Sequence, residues 1–355
     1  MKQITVLAIA AVMIAGTAGI ATAEQCEFSR IAFTSTRDNP TANPLLVGEI
    51  YLMDPEGGNP IRLTEDTGGG NAFAAVSPKK IVFDSNRLRL PTEPLNTSDL
   101  FVMNTDGTEQ TLLIRGSSAT WSPDSKYIAY HASASGATCP VSTAPPLPGI
   151  PGCPIRNDPG APTWDSDIFV ANVDDLLKGV ASPQNITNTP THIEDDADWS
   201  PDGKKIVFTR HTVTDNPMNS ATAEICVLTL ETKTVECVTS NSVEERSPTW
   251  SPDGARIAYE CRNPTNSIFE VCVMNADGTG QTQLTHNSLL DATAAWSPDG
   301  QRIVFHRNVG TFQNPNLQIF KMNADGTNEE QLTFPPGFNL FAAWGVVRAQ
   351  CAQGD

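Results

Sequence analysis

Histidines and carboxylates are the residues of this sequence whose types suggest chemistry. Imidazole and carboxylate groups together bind divalent metals, and a bound metal would support a lyase or lactonase reaction on a carbohydrate or a lactone. The candidate metal ligands are His192, His211 and His286. They do not follow the spacing of a metal motif, and the sequence has no Gly-x-Ser-x-Gly elbow, P-loop or His-Glu-x-x-His. We therefore predict no catalytic residue and no cofactor, with a divalent metal such as calcium as the alternative.

A second set of charged residues recurs along the chain. Arginine follows the second strand of a repeated unit in five of its six copies, at Arg37, Arg87, Arg210, Arg262 and Arg307. Acidic residues lie five positions before a recurring tryptophan in three copies, at Glu194, Glu245 and Asp291. One interpretation is a set of Arg–carboxylate pairs that fix loop ends, because a catalytic group would not be copied into every unit. The other is a charged rim that binds a ligand or a partner, and it makes these eight the predicted binding residues.

The elements that position these residues belong to a repeat of about 45 to 50 residues. Its signature is Trp-Ser-Pro-Asp-Gly, then an apolar strand such as Ile303-Val304-Phe305, and later Asn-Ala-Asp-Gly-Thr. Pro, Asp and Gly in this order are turn residues, and the apolar flanks favour strands. The position before the first turn is occupied by Val76, Trp121, Trp199, Trp250, Trp296 and Trp344. A period of this length is typical of four-stranded propeller blades.

The ends of the repeat predict how the fold closes. The first copy begins at a second strand, Arg30–Phe33, and the last residues supply an unpaired first strand, Phe341–Trp344. We expect this C-terminal strand to complete the first blade and remove the open edges. The predicted fold is therefore all-β, a six-bladed propeller of four-stranded antiparallel blades in a closed ring.

The N-terminal segment predicts an exported protein. Residues 1–23 read as a signal peptide, with an apolar run that ends in Ala21-Thr22-Ala23. Residues 24–355 form one predicted domain, with a proline-rich insertion at about residues 135–165. We expect a periplasmic or secreted protein without membrane insertion. A net charge of −17 argues against nucleic acid as a partner.

The eight cysteines of an exported chain predict disulfides rather than metal ligands. Cysteines opposed across a hairpin lie within bonding distance, which favours Cys226–Cys237 and Cys261–Cys272. Cys139–Cys153 would close the insertion. The remaining pair, Cys26–Cys351, would lock the closing strand.

The two ends of such a propeller differ in composition. The Ser-Pro-Asp-Gly and Asp-Gly-Thr turns lie at one end, called here the turn face. The links from strand two to three and from each blade to the next lie at the other end, the link face, with nearly all long irregular segments and all five histidines. Binding residues favour loops on a rigid scaffold, so function is expected at the link face.

The Trp-Ser-Pro-Asp-Gly, Asn-Ala-Asp-Gly-Thr and Leu-Thr pattern resembles the TolB-like propellers over about residues 28–347. TolB itself is a periplasmic scaffold of the Tol–Pal envelope system with an α/β domain before its propeller, and we expect no such domain here. The resemblance implies a non-catalytic binding or scaffold module. We predict that its link face binds a protein or peptide in the envelope or outside the cell. The alternatives are the metal-dependent lyase or lactonase, acting at the channel mouth, and a structural component of an extracellular assembly.

Overall fold

The computed structural model describes residues 25–39, 48–65, 69–90, 93, 97–133, 166–180, 183–189, 192–212 and 223–350. The predicted signal peptide, the proline-rich insertion and Cys139, Cys153 and Cys351 lie outside these ranges. Within them, no helix is long and apolar enough to cross a membrane.

The described residues form strands and one short helix. The strands are β1 (Gln25–Ser35), β2 (Glu49–Met53), β3 (Ile61–Arg62), β4 (Asn71–Val76), β5 (Lys80–Ser85), β6 (Asp99–Asn104), β7 (Thr111–Arg115), β8 (Ser117–Trp121), β9 (Tyr127–Ser133), β10 (Ser166–Asn172), β11 (Gln184–Asn185), β12 (His192–Trp199), β13 (Lys205–Thr212), β14 (Glu224–Thr229), β15 (Thr234–Cys237), β16 (Glu245–Trp250), β17 (Arg256–Arg262), β18 (Phe269–Asn275), β19 (Thr282–Gln283), β20 (Asp291–Trp296), β21 (Arg302–Asn308), β22 (Leu317–Asn323), β23 (Glu330–Gln331) and β24 (Asn339–Gln350). The helix, α1 (Val173–Leu177), follows β10, and the Asn172 side chain caps it by accepting from the Asp175 N–H.

The architecture is an all-β propeller with four-stranded antiparallel blades. Four sheets stand alone, in the orders β24-β1-β2-β3, β4-β5-β6-β7, β16-β17-β18-β19 and β20-β21-β22-β23. The remaining strands, β8 to β15, form one eight-stranded sheet instead of the two separate blades predicted from the sequence. Its halves are joined by a single parallel bridge, Ser166 to Ile193, because β10 and β12 begin side by side and the Ser166 hydroxyl donates to the Glu194 carbonyl at 3.1 Å.

Each four-stranded sheet, and each half of the eight-stranded sheet, has an innermost strand that faces the middle of the molecule. These strands contact one another in the order β4, β8, β12, β16, β20 and β24, and β24 also contacts β4. Strand β24 pairs antiparallel with β1 from Gln25–Gln350 to Ser35–Asn339. The C-terminal strand therefore completes the sheet that contains the first strand, as the sequence predicted.

Apolar residues fill the space between neighbouring blades. Ile81 and Phe83 of β5 pack with Ala32 and Ile50 of the preceding blade, and all four are fully buried. The recurring tryptophan also lies between blades, since the Trp296 indole N–H donates to the Thr249 carbonyl of the preceding blade at 3.3 Å. The recurring tryptophan therefore has a structural role at this position.

The Ser-Pro-Asp-Gly motif forms a turn held by its own side chains. The Ser200 hydroxyl donates to Asp202 at 2.7 Å, the same carboxylate accepts from the Lys204 N–H at 3.0 Å, and Gly203 has a φ of +69°. The Leu230 N–H then donates to the Lys204 carbonyl at 3.0 Å, which joins the turn to the next turn of its blade. The motif therefore forms a turn, and its carboxylate already accepts hydrogen bonds within that turn.

The threonine of the Leu-Thr motif caps the third strand. Thr239 Oγ1 donates to Glu224 at 2.6 Å and accepts from the Ile225 N–H at 2.9 Å. The equivalent threonines Thr64, Thr187, Thr285 and Thr333 make the same pair of contacts. The acidic or amide residue that opens the third strand is thereby fixed inside the blade.

Two disulfides lie among the described residues. Cys226 and Cys237 are directly opposed on β14 and β15. Cys261 and Cys272 are also bonded, but Cys272 opposes Tyr259 rather than Cys261. The pair is diagonal, because the hairpin register is centred one residue earlier than the symmetry of the two cysteines suggested. Cys26 is disulfide-bonded as well, and its predicted partner Cys351 lies outside the described ranges.

Candidate functional site

Each innermost strand contains a β-bulge at the same place. The bulged residue lies three positions before the tryptophan or its equivalent and has a φ near +50°, in the left-handed region. The six bulged residues are Phe73, Ser118, Asp196, Ser247, Thr293 and Phe341. Register shifts occur at these positions in every innermost strand. A bulge breaks the alternation of side chains, so neighbouring residues of one strand both reach the same side.

The bulged residues surround a cavity of about 790 Å³ between the innermost strands. All six line it. Lining residues extend from Pro123, Pro201, Pro252 and Pro298 at the turn face to Ile193 and Leu290 at the link face. The cavity is of the size that accepts a small molecule or part of a peptide.

One wall of the cavity is apolar. The Phe73 and Phe341 rings stack with centroids 3.9 Å apart, and His306 meets Phe341 edge-on at 5.6 Å. Alanines of β4, β20 and β24 complete this wall. Small side chains beside the aromatic pair leave both rings accessible from the cavity.

The opposite wall is polar and mostly acidic. Asp195 lies 3.6 Å from His211 Nε2, and the Asp196 carboxylate accepts from the Ser247 hydroxyl at 2.9 Å. Arg246 Nε donates to Glu260 at 2.8 Å. All of these residues line the cavity, and the bulge at Asp196 explains why the adjacent Asp195 does so too.

Burial and mutual repulsion perturb the titration of this wall. Burial, together with the neighbouring Asp195, raises the pKa of Asp196 to about 7. Burial would lower the pKa of His211, but Asp195 outweighs it and the pKa is raised. Burial lowers the pKa of His306 to about 4, so this imidazole is neutral at pH 7.

Three residues that line the cavity have a buried polar atom with no hydrogen-bond partner in the described part of the chain: Trp199, Trp250 and His306. His306 is 5% exposed and its Nδ1 makes no hydrogen bond. Trp250 is 6% exposed and its Nε1 makes none. Buried polar groups are almost always hydrogen-bonded, so these atoms are exceptions within the protein interior around the cavity.

The predicted binding residues lie at strand ends towards the link face, where most of them pair within their own blade. Arg210 Nε donates to Glu194 at 2.9 Å, and Arg307 forms two bonds to Asp291, at 2.6 and 2.8 Å. Where the acidic position is an asparagine, the arginine bonds to the amide: Arg37 to Asn339 at 3.3 Å and Arg87 to Asn71 at 2.7 Å.

One predicted arginine has a different partner from the one that the repeat suggests. Arg262 pairs with Glu244 at 2.7 Å, while Glu245 accepts from the Asn241 side chain at 3.0 Å. Each predicted arginine also lies over an aromatic ring of its blade, as Arg307 lies 4.8 Å from the centroid of Phe320. These contacts fix the side chains and hold the strand ends together.

The predicted metal candidates are spread over two blades. His192 and His211 lie on the paired strands β12 and β13, whereas His286 is exposed after β19. Across the described ranges, no three His, Cys, Asp or Glu side chains form a group suited to a metal ion.

Sequence reasoning missed the ring of bulged residues. The signal for it is present, since a polar or aromatic residue recurs three positions before each tryptophan. A strand that alternates strictly would direct only every second residue inwards, so the pattern is visible only once the bulge is known.

Comparison with known proteins agrees with the propeller fold. Residues 199–348 match the family model described as the TolB beta propeller domain. These residues are therefore similar to a TolB β-propeller domain. No curated protein matches the chain in a sequence comparison.

Solved structures share the fold of this chain. TolB from Acinetobacter baumannii has 19% identity and a TM-score of 0.64, over 89% of this chain and 66% of that one. A putative TolB from Agrobacterium tumefaciens has 14% identity and a TM-score of 0.58, over 90% of this chain and 98% of that one. The hydrazine synthase of Kuenenia stuttgartiensis has 13% identity and a TM-score of 0.61, over 90% of this chain and 47% of that one. Identities this low establish the fold alone.

Proposed function

We propose that the protein is an exported, non-catalytic binding module that holds a protein or peptide at its link face, with part of the bound chain inside the central cavity. The observation that carries the proposal is the cavity itself, with an apolar aromatic wall facing a charged one. Pockets that combine apolar surface with a few placed polar groups are the usual binding sites of proteins.

The backbone of the cavity supports a binding role. Six non-glycine residues in left-handed conformation, one on each innermost strand, represent strain of about 1 kcal/mol or more at each position. Strain of this kind clusters at ligand sites, where the surrounding structure holds it in place. The copies also differ in chemistry from strand to strand, as expected of a surface that recognises one asymmetric ligand.

The predicted Arg–carboxylate rim has a supporting part in this proposal. Because the arginines are paired within their blades, we infer that they hold the link ends rigid around the cavity mouth. A metal-dependent lyase or lactonase has no specific observation in its favour, and we do not develop it.

We infer that the propeller has six blades in a closed ring, occupying residues 24–355 after a cleaved signal peptide. The eight-stranded sheet contains two four-strand sets joined by one bridge, which together with the four separate sheets makes six. The contact between β24 and β4 supports closure. A periplasmic or secreted location follows from the signal peptide, and it is consistent with the disulfides.

Peptide selection with site-specific crosslinking tests the binding function. A random peptide library displayed on phage is selected on the purified protein, and selected peptides are then crosslinked from a photoreactive phenylalanine at one of three positions. Position 341 lies in the cavity, position 312 is 95% exposed on the link face, and position 231 is exposed on the turn face. We expect crosslinks from 341 and 312 and none from 231. Crosslinks from 231 alone, or no selected peptide, would refute the proposal.

A further inference from the structure

We propose that the cavity accepts an organic cation, an ammonium or guanidinium group on an apolar stem, between the Phe73–Phe341 pair and the Asp195–Asp196 wall. The inference rests on the proposed binding function and names the chemistry of the group that enters. Lysine and arginine side chains of a bound peptide have this chemistry, and so does a free aromatic or aliphatic amine.

The acidic wall has an excess of negative charge. Four carboxylates line the cavity: Asp195, Asp196, Asp198 and Glu260. Three lining residues can be positively charged: Arg246, His211 and His306. Arg246 is bonded to Glu260, and His211 pairs with Asp195. His306 is neutral at pH 7. The wall therefore has more negative than positive charge.

Two of these carboxylates have no cationic partner within ion-pair distance in the described ranges. Asp196 accepts from the Ser247 hydroxyl, and Asp198 accepts from the Trp250 N–H and the Thr249 hydroxyl. Burial raises the pKa of Asp198 to about 6, as it raises that of Asp196. A carboxylate that is surrounded by protein and lacks a counter-charge is stabilised by any cation that reaches it.

The acidic wall also presents hydrogen-bond acceptors. Asp195 and Asp196 line the cavity, and the oxygens of an ionised carboxylate only accept hydrogen bonds. Ammonium and guanidinium groups are donors only. The wall therefore suits a group that only donates.

The apolar wall suits the carbon stem of an organic cation. Cations attached to carbon stems are attracted to aromatic faces, and their stems bury against apolar surface. Phe73 and Phe341 are on the adjacent innermost strands β4 and β24. Asp196 is on β12, which lies three strands away from β24 along the series of contacting innermost strands. A stem that lies along the phenylalanines therefore directs its charge across the cavity to Asp196. A fully hydrated inorganic ion would make no use of this wall.

Binding of matched charged and neutral probes tests the inference. The probes are phenethylammonium, its uncharged analogue phenethyl alcohol, and a blocked Gly-Gly-Lys-Gly-Gly peptide with a norleucine counterpart. Affinities are measured by NMR titration of the wild-type protein and of variants. We expect each charged probe to bind about tenfold to a hundredfold more tightly than its neutral counterpart, as a charge-assisted hydrogen bond in a cavity predicts.

The variants separate the acidic wall from general charge effects. Asp196→Asn should reduce the preference for the charged probes about tenfold or more, and asparagine tolerates the left-handed backbone at this position. Glu231→Gln removes the same charge from an exposed turn-face position and should change nothing. Circular dichroism shows whether Asp196→Asn folds. If it does not, the preference for the charged probes is measured with Asp195→Asn instead.

The outcomes distinguish this inference from the proposed function. Equal binding of charged and neutral probes overturns the cation site, while peptides from the phage selection can still bind. If phenethylammonium binds and both the Lys peptide and the phage selection fail, the cation site stands and peptide binding does not. If no probe binds, the cation site is wrong.

Discussion

The ion pair between Arg307 and Asp291 is deeply buried and supports a quantitative prediction. Asp291 is fully buried, with 0% of its side chain exposed, and Arg307 is 10% exposed. Arg307 Nε and Nη2 donate to the two carboxylate oxygens at 2.6 and 2.8 Å, and Nη1 donates to Glu329 at 2.6 Å.

Arg307→Met keeps the length and apolar packing of the side chain but removes the charge. It leaves the Asp291 carboxylate buried with only the Asn287 amide as a described side-chain donor. Breaking a buried pair in this way destabilises a protein by about 3–5 kcal/mol. We therefore expect the free energy of unfolding to fall by about that amount, measured by urea denaturation followed by tryptophan fluorescence.

Arg348→Met is the matched control. Arg348 pairs with Glu27 at 2.8 Å, but the two side chains are 41% and 56% exposed. Exposed pairs contribute about 1 kcal/mol or less. The double variant Arg307→Met/Asp291→Leu should recover most of the lost stability, because it removes the uncompensated charge. If Arg307→Met and Arg348→Met differ by less than about 1 kcal/mol, the structural role given to the Arg–carboxylate pairs is wrong.

Two further predictions concern a buried carboxylate and the closure of the fold. Burial raises the pKa of Asp84 from 3.8 to about 7, so the folded state binds this proton more tightly than the unfolded state does. Stability should therefore fall as pH rises from about 4 to about 7, by up to roughly 1.4 kcal/mol for each pH unit of that window. Asp84→Asn should show a smaller fall in urea titrations across this range, and an unchanged pH profile would contradict the assignment. Peptide mapping under non-reducing conditions should join Cys26 to Cys351, and a bond from Cys26 to either Cys139 or Cys153 would exclude that latch.

Much of the fold could be predicted from the sequence, because its information is local and repeated. Turn residues such as Pro201, Asp202 and Gly203 determine backbone angles within four residues, and each copy repeats the same evidence. The closing strand was also predictable, since Phe341–Trp344 lacks any other partner in the repeat. The bridge between Ser166 and Ile193, which fuses two of the blades, depends on backbone proximity that no local pattern encodes.

The candidate site was less accessible to sequence reasoning. Arginine and acidic residues recur, which made them the predicted binding residues. In the structure, however, Arg210 and Glu194 bind each other. The residues that line the cavity differ from copy to copy, from Phe73 to Asp196, so a search for recurrence passes over them. Their shared property is a left-handed backbone, which side-chain type does not reveal.

The pairing of β24 with β1 has a consequence for how the chain matures. Ser35 and Asn339 join side chains across 304 positions, so this sheet is complete only after β24 has been synthesised. Until then, β1 presents an unpaired edge, and contacts so distant in sequence form slowly. A chain that ends before residue 339 would lack the innermost strand of the sheet that holds β1, and would expose Ile31 and Phe33, which are fully buried in the complete fold. Burial of Ile31 and Phe33 therefore depends on a strand that is synthesised long after them.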